Sequence, residues 1–566
     1  MTHHQGRYMI VFNGELYNYR ELYAEYFQDD RSVNGNSDTA VLLSLYERFN
    51  KDCVKLLNGM FSFVIIDILR KSIFMCRDRF GEKPLYWMQN GQSVLFGSEL
   101  KALKVLMPNC PWRIDPESVA LYHMIGTIPP PHTIYEGVMA LRPGHWIEVE
   151  SSGKISEGQY WSIEESLNAP GENGTGTYQQ ILEETRTLLL QAVRSRMVSD
   201  VEVGLFLSGG HDSGAILSLI KALDLDPIRT LCLDFPDESF SEFRLARLTS
   251  QRFNANLRRR VISPQMFLDG IGDYFDSMDQ PTSDGYNTFF VSRAARELGI
   301  KVWLSGVGGD ELFGGYPFFK RVQTLKWMAW AISALLPRIA VEWTAPHLFE
   351  HLRVARLCHL ADDGSSVTRA YQTCRNSLPW RNAFRLLAPG IRENIHEINH
   401  KKDQLYPNTD QFSDDFQRAT VLETSVYMRS QLLRDMDNFS MAHSIEIRAP
   451  YLDHRLFEHV LRLPQCYKKQ KGRVKPLLED ALPFALPEEV RQQGKRGFTF
   501  PVEVWLKREL AESFEEYAIS KENASFCDLE IVKKLWKGYR IGTVGWGAIW
   551  SLYAFARWVR DHHESL

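Results

Sequence analysis

Two apolar strands that each run directly into a glycine-rich turn constrain this chain more than anything else in it. Val203-Gly204-Leu205-Phe206-Leu207 leads into Ser208-Gly209-Gly210-His211-Asp212-Ser213, and Val302-Trp303-Leu304 leads into Ser305-Gly306-Val307-Gly308-Gly309-Asp310-Glu311. Glycines after a buried strand let backbone approach a ligand, and free amides at the start of the next helix make an anion site. Helical segments between these strands, with another apolar strand at 230–235, predict a parallel sheet covered on both faces. In such a sheet the strand ends converge on one crevice, so both turns face the same ligand. Asp212 and Asp310 would then share a magnesium ion, because two carboxylates plus phosphate oxygens suit a hard cation. The first turn has no lysine and does not match G-x-x-x-x-G-K-[ST], so γ-phosphate transfer is not predicted. The alternative is a tight turn with no ligand, and six specified residues directly after a buried strand argue against it.

The length, 566 residues, calls for more than one core. Residues 1–168 read as short strands with turns between them, an antiparallel layered unit. Strands are expected at 8–12, ending in a turn at Asn13-Gly14, and at 61–67, 72–76 and 94–97. Pro129-Pro130-Pro131 lacks amide donors and is expected on the surface. Residues 169–177 have linker composition, and 178–566 form the second unit, opening on an amphipathic helix over 178–198 and mostly helical after 320. A net charge of -4, from 66 basic and 70 acidic residues, predicts neither nucleic acid nor membrane as a partner. Eight cysteines without metal spacing, and no apolar leader, predict a cytoplasmic protein. The stretch 327–336 is too short to span a bilayer and is expected to be a buried helix.

Further blocks follow in order: Leu432-Leu433-Arg434-Asp435-Met436-Asp437, Ser440-Met441-Ala442 through Glu446-Ile447-Arg448-Ala449-Pro450 to Asp453, then Lys475, then Lys495-Arg496-Gly497-Phe498 through Trp505. With the two glycine-rich turns, and over nearly the whole chain, these resemble the asparagine synthetase family of glutamine-dependent amidotransferases. The resemblance implies an α/β protein: a partial glutaminase-like unit of the N-terminal-nucleophile type, then a doubly wound nucleotide domain of the ATP-pyrophosphatase type with a helical extension. It implies ATP and magnesium as cofactors, with aspartate and ammonia or glutamine as substrates. Aspartate would be adenylated on its side-chain carboxylate and then amidated, releasing AMP and pyrophosphate. The implied ATP and pyrophosphate site comprises Leu207, Ser208, Gly209, Gly210, Asp212, Ser213, Asp234, Ser305 and Gly306, with Asp212 and Asp310 on the metal. The implied catalytic set is Lys475, which neutralises the phosphoryl transition state, with Glu446 and Asp437. The family often pairs subunits, which implies a homodimer. Read without the resemblance, Met441, Ala442, Phe498 and Trp505 look like core, and Glu446 with Arg448 could be a structural ion pair.

The sequence departs from the family in two places. Glutaminases of this type begin Met-Cys-Gly, whereas no cysteine here precedes Cys53. The expectation is a truncated first unit that exposes a sheet edge and has lost glutaminase activity. Asn13 and Gly14 match an oxyanion hole and Asp38 a glutamine-ammonium site, but without a nucleophile they read as remnants. Thr2 is expected to lie off any strand and not to replace the cysteine. The second departure is Val307, where asparagine-forming members carry a glutamate that takes a proton from ammonia. Glu446 is the expected substitute base. A tailoring amidotransferase acting on another carboxylate, and a catalytically inactive scaffold, are the competing expectations.

Overall fold

The computed structural model describes residues 1–3, 6–30, 33–91, 93–168, 176–225, 227–335, 348–349, 351–361, 366–393, 395, 405–494 and 500–562. The Lys495–Phe498 block and most of the 169–177 linker lie outside the described residues.

The amino-terminal unit stacks two antiparallel sheets. Strands β1 (Thr2–His3), β2 (Tyr8–Leu16), β3 (Gly59–Asp67), β4 (Ser72–Arg77), β8 (His145–Val149) and β9 (Ile155–Gln159) form the larger, in the order β1-β2-β3-β4-β8-β9. Strands β5 (Tyr86–Asn90), β6 (Ser93–Gly97) and β7 (Met139–Ala140) form the smaller, in the order β6-β5-β7. The alternation along β3 explains the layering. Phe61, Phe63 and Ile65 face the helices Tyr19–Tyr26 and Asp38–Phe49, while Val64 packs with Met75, Leu85 and Leu141 between the sheets. A strand buried on both faces reads as a nearly continuous apolar run, as 60–66 does with Ser62 as its single polar residue.

Three expectations about this unit are corrected. Asn13-Gly14 is not a turn: β2 runs through it to Leu16, and Gly14, at φ +140°, lets the backbone lie against β3, where a Cβ would meet Phe61 Cα at 2.7 Å. Thr2 does lie on a strand, the two-residue β1, paired antiparallel with β2 in the register Thr2 to Met9. Pro129 is buried rather than on the surface, because the segment around it packs beneath the helix Pro116–Ile125 into the second unit.

The second unit is built on a parallel five-stranded sheet, β12-β11-β10-β13-β14, with β10 Val203–Phe206, β11 Arg229–Asp234, β12 Asn256–Val261, β13 Val302–Leu304 and β14 Glu446–Arg448. The chain winds outward from β10 to β12, then returns to β10's other side with β13, so the switch point falls between the two glycine-rich turns. Gly204 sits opposite Trp303 in register, where a Cβ would meet the indole at 2.6 Å. Its absence lets Trp303 stack on Phe206 with ring planes 4° apart. Thr177 and Gln180 form a reciprocal capping box that starts the helix Tyr178–Arg196. The helix Pro317–Leu335 exposes Trp327 (65 %) and Trp330 (61 %), so the expectation of a wholly buried helix is also corrected. No helix among the described residues is long and apolar enough to cross a membrane.

One hydrophobic cluster runs through both units, beside two that belong to the first alone. Tyr122 of the helix Pro116–Ile125 donates to Ser551 O (2.8 Å) on the carboxy-terminal helix Trp546–His562 and packs on Phe555. Buried charge also crosses the junction: Lys83 pairs with Asp437 (2.7 Å), Arg448 with Glu15 (3.4 Å), and Asn58 donates to Asp453 (3.2 Å). Glu82 lies beside this cluster, 3 % exposed, and burial followed by the nearby Asp78 charge pushes its carboxyl up to about 8. The native state therefore keeps this proton to about pH 8, while the unfolded chain releases it near pH 4.5. Between these values the native state binds more protons, so stability falls as pH rises. Replacing Glu82→Gln removes that term. The melting temperature of the variant should gain on the parent steadily from pH 5 to pH 8.5, and a difference independent of pH would contradict the assignment.

Candidate active site

Both glycine-rich turns open onto one cavity of about 270 Å³ at the carboxyl ends of β10 and β13. Leu207, Ser208, Asp212, Ser213, Ser305, Gly306 and Asp310 line it, together with Val307, Gly308 and Ile447. The first turn is held by its own hydroxyls. Ser208 Oγ accepts from Gly210 N (3.2 Å) and lies 3.1 Å from Ser213 Oγ, which donates to Ser208 O (3.2 Å). The helix His211–Ala222 follows with no side-chain cap, so its first amides are left to the cavity. Gly209 allows close packing below, where a Cβ would meet Glu242 O at 2.9 Å.

Asp212 and Asp310 come from separate turns and meet on the Lys475 ammonium, which pairs with Asp212 and with Asp310 (2.7 Å) and is 1 % exposed. Glycines make this convergence sterically possible. A Cβ on Gly309 would lie 2.7 Å from Asp212 Cγ, and one on Gly315 would lie 2.7 Å from Asp310 Cγ. Two hard carboxylates held together fit a magnesium ion whose remaining ligands are phosphate oxygens and water. No group of three or more His, Cys, Asp or Glu suited to a metal exists among the described residues. Asp212 and Asp310 would hold the ion, which when bound neutralises phosphate charge. Replacing Gly309→Ala must displace Asp212, and a misplacement of about 1 Å costs turnover about 10²-fold. Steady-state assays at saturating ATP should show that loss with the melting temperature little changed.

Other expected site residues lie elsewhere. Asp234, at the end of β11, is fully buried, accepts from Arg259 Nε (2.7 Å) and does not line the cavity. Glu446 is separated from it by the pleat of β14. Ile447 faces the cavity, whereas Glu446 and Arg448 point the other way and pair with each other (2.6 Å). The structural reading of that pair is the one the geometry favours. Glu446 with Arg448, Glu15, Lys83 and Asp437 makes up the charge cluster between the units, where burial pushes the Glu15 carboxyl up to about 7.

Asp437 and Asn13 both line a third cavity of about 220 Å³ between the two units. Asn13 Nδ2 donates to Ser98 Oγ (3.1 Å), and Asp38 Oδ2 accepts from Leu16 N (3.3 Å) at the same end of β2. Met441 and Ala442 are exposed, Met441 by 46 %, so they are not core, whereas Trp505 is buried at 3 %.

A larger cavity of about 570 Å³ adjoins the cavity at the two turns and shares Asn287, Asp310, Tyr316 and Leu432 with it. The π-helical stretch Glu423–Leu432 forms one wall and presents Val426, Tyr427 and Gln431. Tyr316 donates to Glu311 (2.7 Å), whose carboxyl burial and the Asp310 charge push up to about 7. Sequence reasoning gave no role to Arg375, Glu423, Asp284 or Asn287, which lie in helices and loops without a recognisable spacing.

The family model for Asparagine synthase matches residues 184–560, the larger part of the chain, which holds both turns and Lys475. The chain belongs to the asparagine synthase family. The model for a Glutamine amidotransferase domain matches residues 1–161, the two-sheet unit. Among curated relatives, Asparagine synthetase [glutamine-hydrolyzing] 1 of Bacillus subtilis is 29 % identical over 525 residues, covering 90 % of this chain and 79 % of its own. Asparagine synthetase [glutamine-hydrolyzing] 3 of the same organism is 27 % identical over 539 residues, covering 89 % and 79 %. Amidase chry2 of Gibberella zeae is 25 % identical over 585 residues, covering 94 % and 83 %. Relatives of this chain therefore include proteins named as asparagine synthetases and proteins named as amidases.

Proposed function

We propose that this protein is an ATP-dependent amide ligase that works through an acyl-adenylate. A substrate carboxylate oxygen attacks the α-phosphorus of ATP, the α–β bridge breaks, and pyrophosphate leaves as the acyl-adenylate forms. Ammonia then attacks the acyl carbon, AMP departs with its bonding pair, and the nitrogen loses a proton to give the amide. The observation that carries this reading is Lys475, buried between Asp212 and Asp310 where both glycine-rich turns meet. A fixed cation at that point opposes negative charge developing on the transferring group.

Aspartate is the acceptor to which the relatives' names point, with asparagine as product. Val307, which cannot take a proton, and the 570 Å³ cavity favour a second reading, amidation of a different acid. Nitrogen enters as ammonia, offered as ammonium or as glutamine, and Asn13, Gly14 and Asp38 lie in the unit that matches a Glutamine amidotransferase domain. An inactive scaffold is disfavoured because Ser208, Asp212, Ser213, Asp310 and Lys475 are all present and Ser208, Asp212, Ser213 and Asp310 line one cavity. The test is pyrophosphate release with ATP, magnesium and an acceptor acid, comparing ammonium with glutamine. Acid-dependent release, followed by amide formation with ammonium, is expected. No acid-dependent release despite measurable ATP binding to the scaffold would sink the ligase reading for the acids tried.

A further inference from the structure

The cavity beside the nucleotide site has a composition that specifies what it accepts. Its walls include Tyr286, Tyr316, Tyr371, Tyr427, Trp546 and Trp550, and its volume, about 570 Å³, lies in the range that holds ligands of drug-like size. It meets the nucleotide cavity at Asn287, Asp310, Tyr316 and Leu432, so a carboxylate placed there reaches the phosphates.

Arg375 is the cation of this lining, and its charge is already neutralised. Its Nε and Nη2 pair side-on with both oxygens of Glu423, at 3.0 and 2.8 Å, and Glu423 has no solvent exposure. Two tyrosine rings pack against the guanidinium, Tyr316 with its centroid at 4.3 Å and Tyr427 at 4.1 Å. Asp310 is matched by Lys475. Among the described residues of this lining, Asp284 is the carboxylate held by no ion pair: Gly285 N (2.8 Å) and the Tyr427 hydroxyl (3.2 Å) donate to it, and Arg375 acts on it only through space while paired to Glu423. A dicarboxylate such as aspartate would bring a second anion to a wall whose net charge is negative, and would leave the aromatic surface unfilled. A protonated amine beside Asp284, with an aromatic ring against the Tyr and Trp walls, satisfies both features.

We infer that the acceptor of this ligase is an amino acid with an aromatic side chain, or an acid built on the same pattern of ring and ammonium, rather than aspartate. The inference rests on the adenylation reading above. Its charge balance assigns the acid's carboxylate to the ATP side, its ammonium to Asp284 and its ring to the aromatic walls. Gly547 lies on the exposed rim of this lining, and a Cβ there would meet nothing within 4 Å, so a larger side chain can be added at the cavity mouth without displacing the protein.

The experiment is ATP–pyrophosphate exchange by the full chain with tryptophan, phenylalanine, 3-phenylpropionate and aspartate, alongside calorimetric binding of magnesium-ATP. Exchange with tryptophan or phenylalanine at least tenfold above aspartate is expected. Gly547→Leu should cut that exchange more than tenfold while leaving ATP binding unchanged. Asp284→Asn should raise the KM for phenylalanine about tenfold or more and leave the smaller exchange with 3-phenylpropionate unaltered, a split that general unfolding would not produce. If ATP binds and aspartate exchanges as well as or better than the aromatic acids, or none of the aromatic acids exchanges, the inference is overturned while the ligase reading stands on the aspartate result. Absence of ATP binding would overturn both.

Discussion

Replacing Lys475→Met is expected to lower the rate of ATP–pyrophosphate exchange by about 10²–10³-fold, the range found when one preorganised donor to a developing oxyanion is removed. Lys475 is 1 % exposed, and its ammonium is held against two carboxylates from different turns. Its loss removes the fixed positive charge and leaves Asp212 and Asp310 facing each other. Two like charges brought together in a partly buried site repel, so the variant should also melt earlier than the parent. Magnesium should restore part of that melting temperature, because a divalent ion satisfies the same two carboxylates. A Lys475→Met protein that exchanges pyrophosphate at the parent rate would remove Lys475 from the chemistry. One whose melting temperature ignores magnesium would argue against Asp212 and Asp310 as the metal pair.

Replacing Lys83→Met should have the largest effect on stability. Lys83 and Asp437 come from different units, and their side chains are 5 % and 9 % exposed. Removing one partner of a buried pair leaves the other charge uncompensated and costs about 3–5 kcal/mol. The cost falls on the junction between the units, so the first unit should come apart from the second before either unfolds. Scanning calorimetry should show one transition in the parent splitting into two in Lys83→Met. The double variant Lys83→Met, Asp437→Leu, which leaves no orphan charge, should recover most of the loss. A single undisplaced transition in Lys83→Met would show that the pair contributes little to the junction.

The convergence of the two glycine-rich turns on one cavity was legible because its constraints are local. A strand that must be buried, a glycine where a Cβ would strike Asp212 or Asp310, and an uncapped helix start each leave a mark within a few residues of sequence. The parallel sheet followed from the same marks, apart from β14. Glu446-Ile447-Arg448 is three residues long with charge on one face, and nothing in its composition separates it from a loop. Only the pleat shows that Ile447 takes the cavity side and that Glu446 belongs to the junction.

The Asn13-Gly14 pair was misleading for a related reason. Its glycine answers to the β3 backbone beside it, a neighbour some fifty positions away by the register Gly14 to Phe61, and not to a local turn. The acceptor cavity was illegible altogether. Asp284, Arg375, Glu423 and Trp546 are scattered along the chain and acquire a common meaning only through packing.

The measurement that bears most directly on the adenylation account is which bond of ATP breaks. Incubating the full chain with ATP labelled in the α and γ positions, magnesium, ammonium and the acceptor acids should yield AMP and pyrophosphate in equal amounts, dependent on the acid. ADP and inorganic phosphate as the products would place the attack at the γ-phosphate and contradict the account.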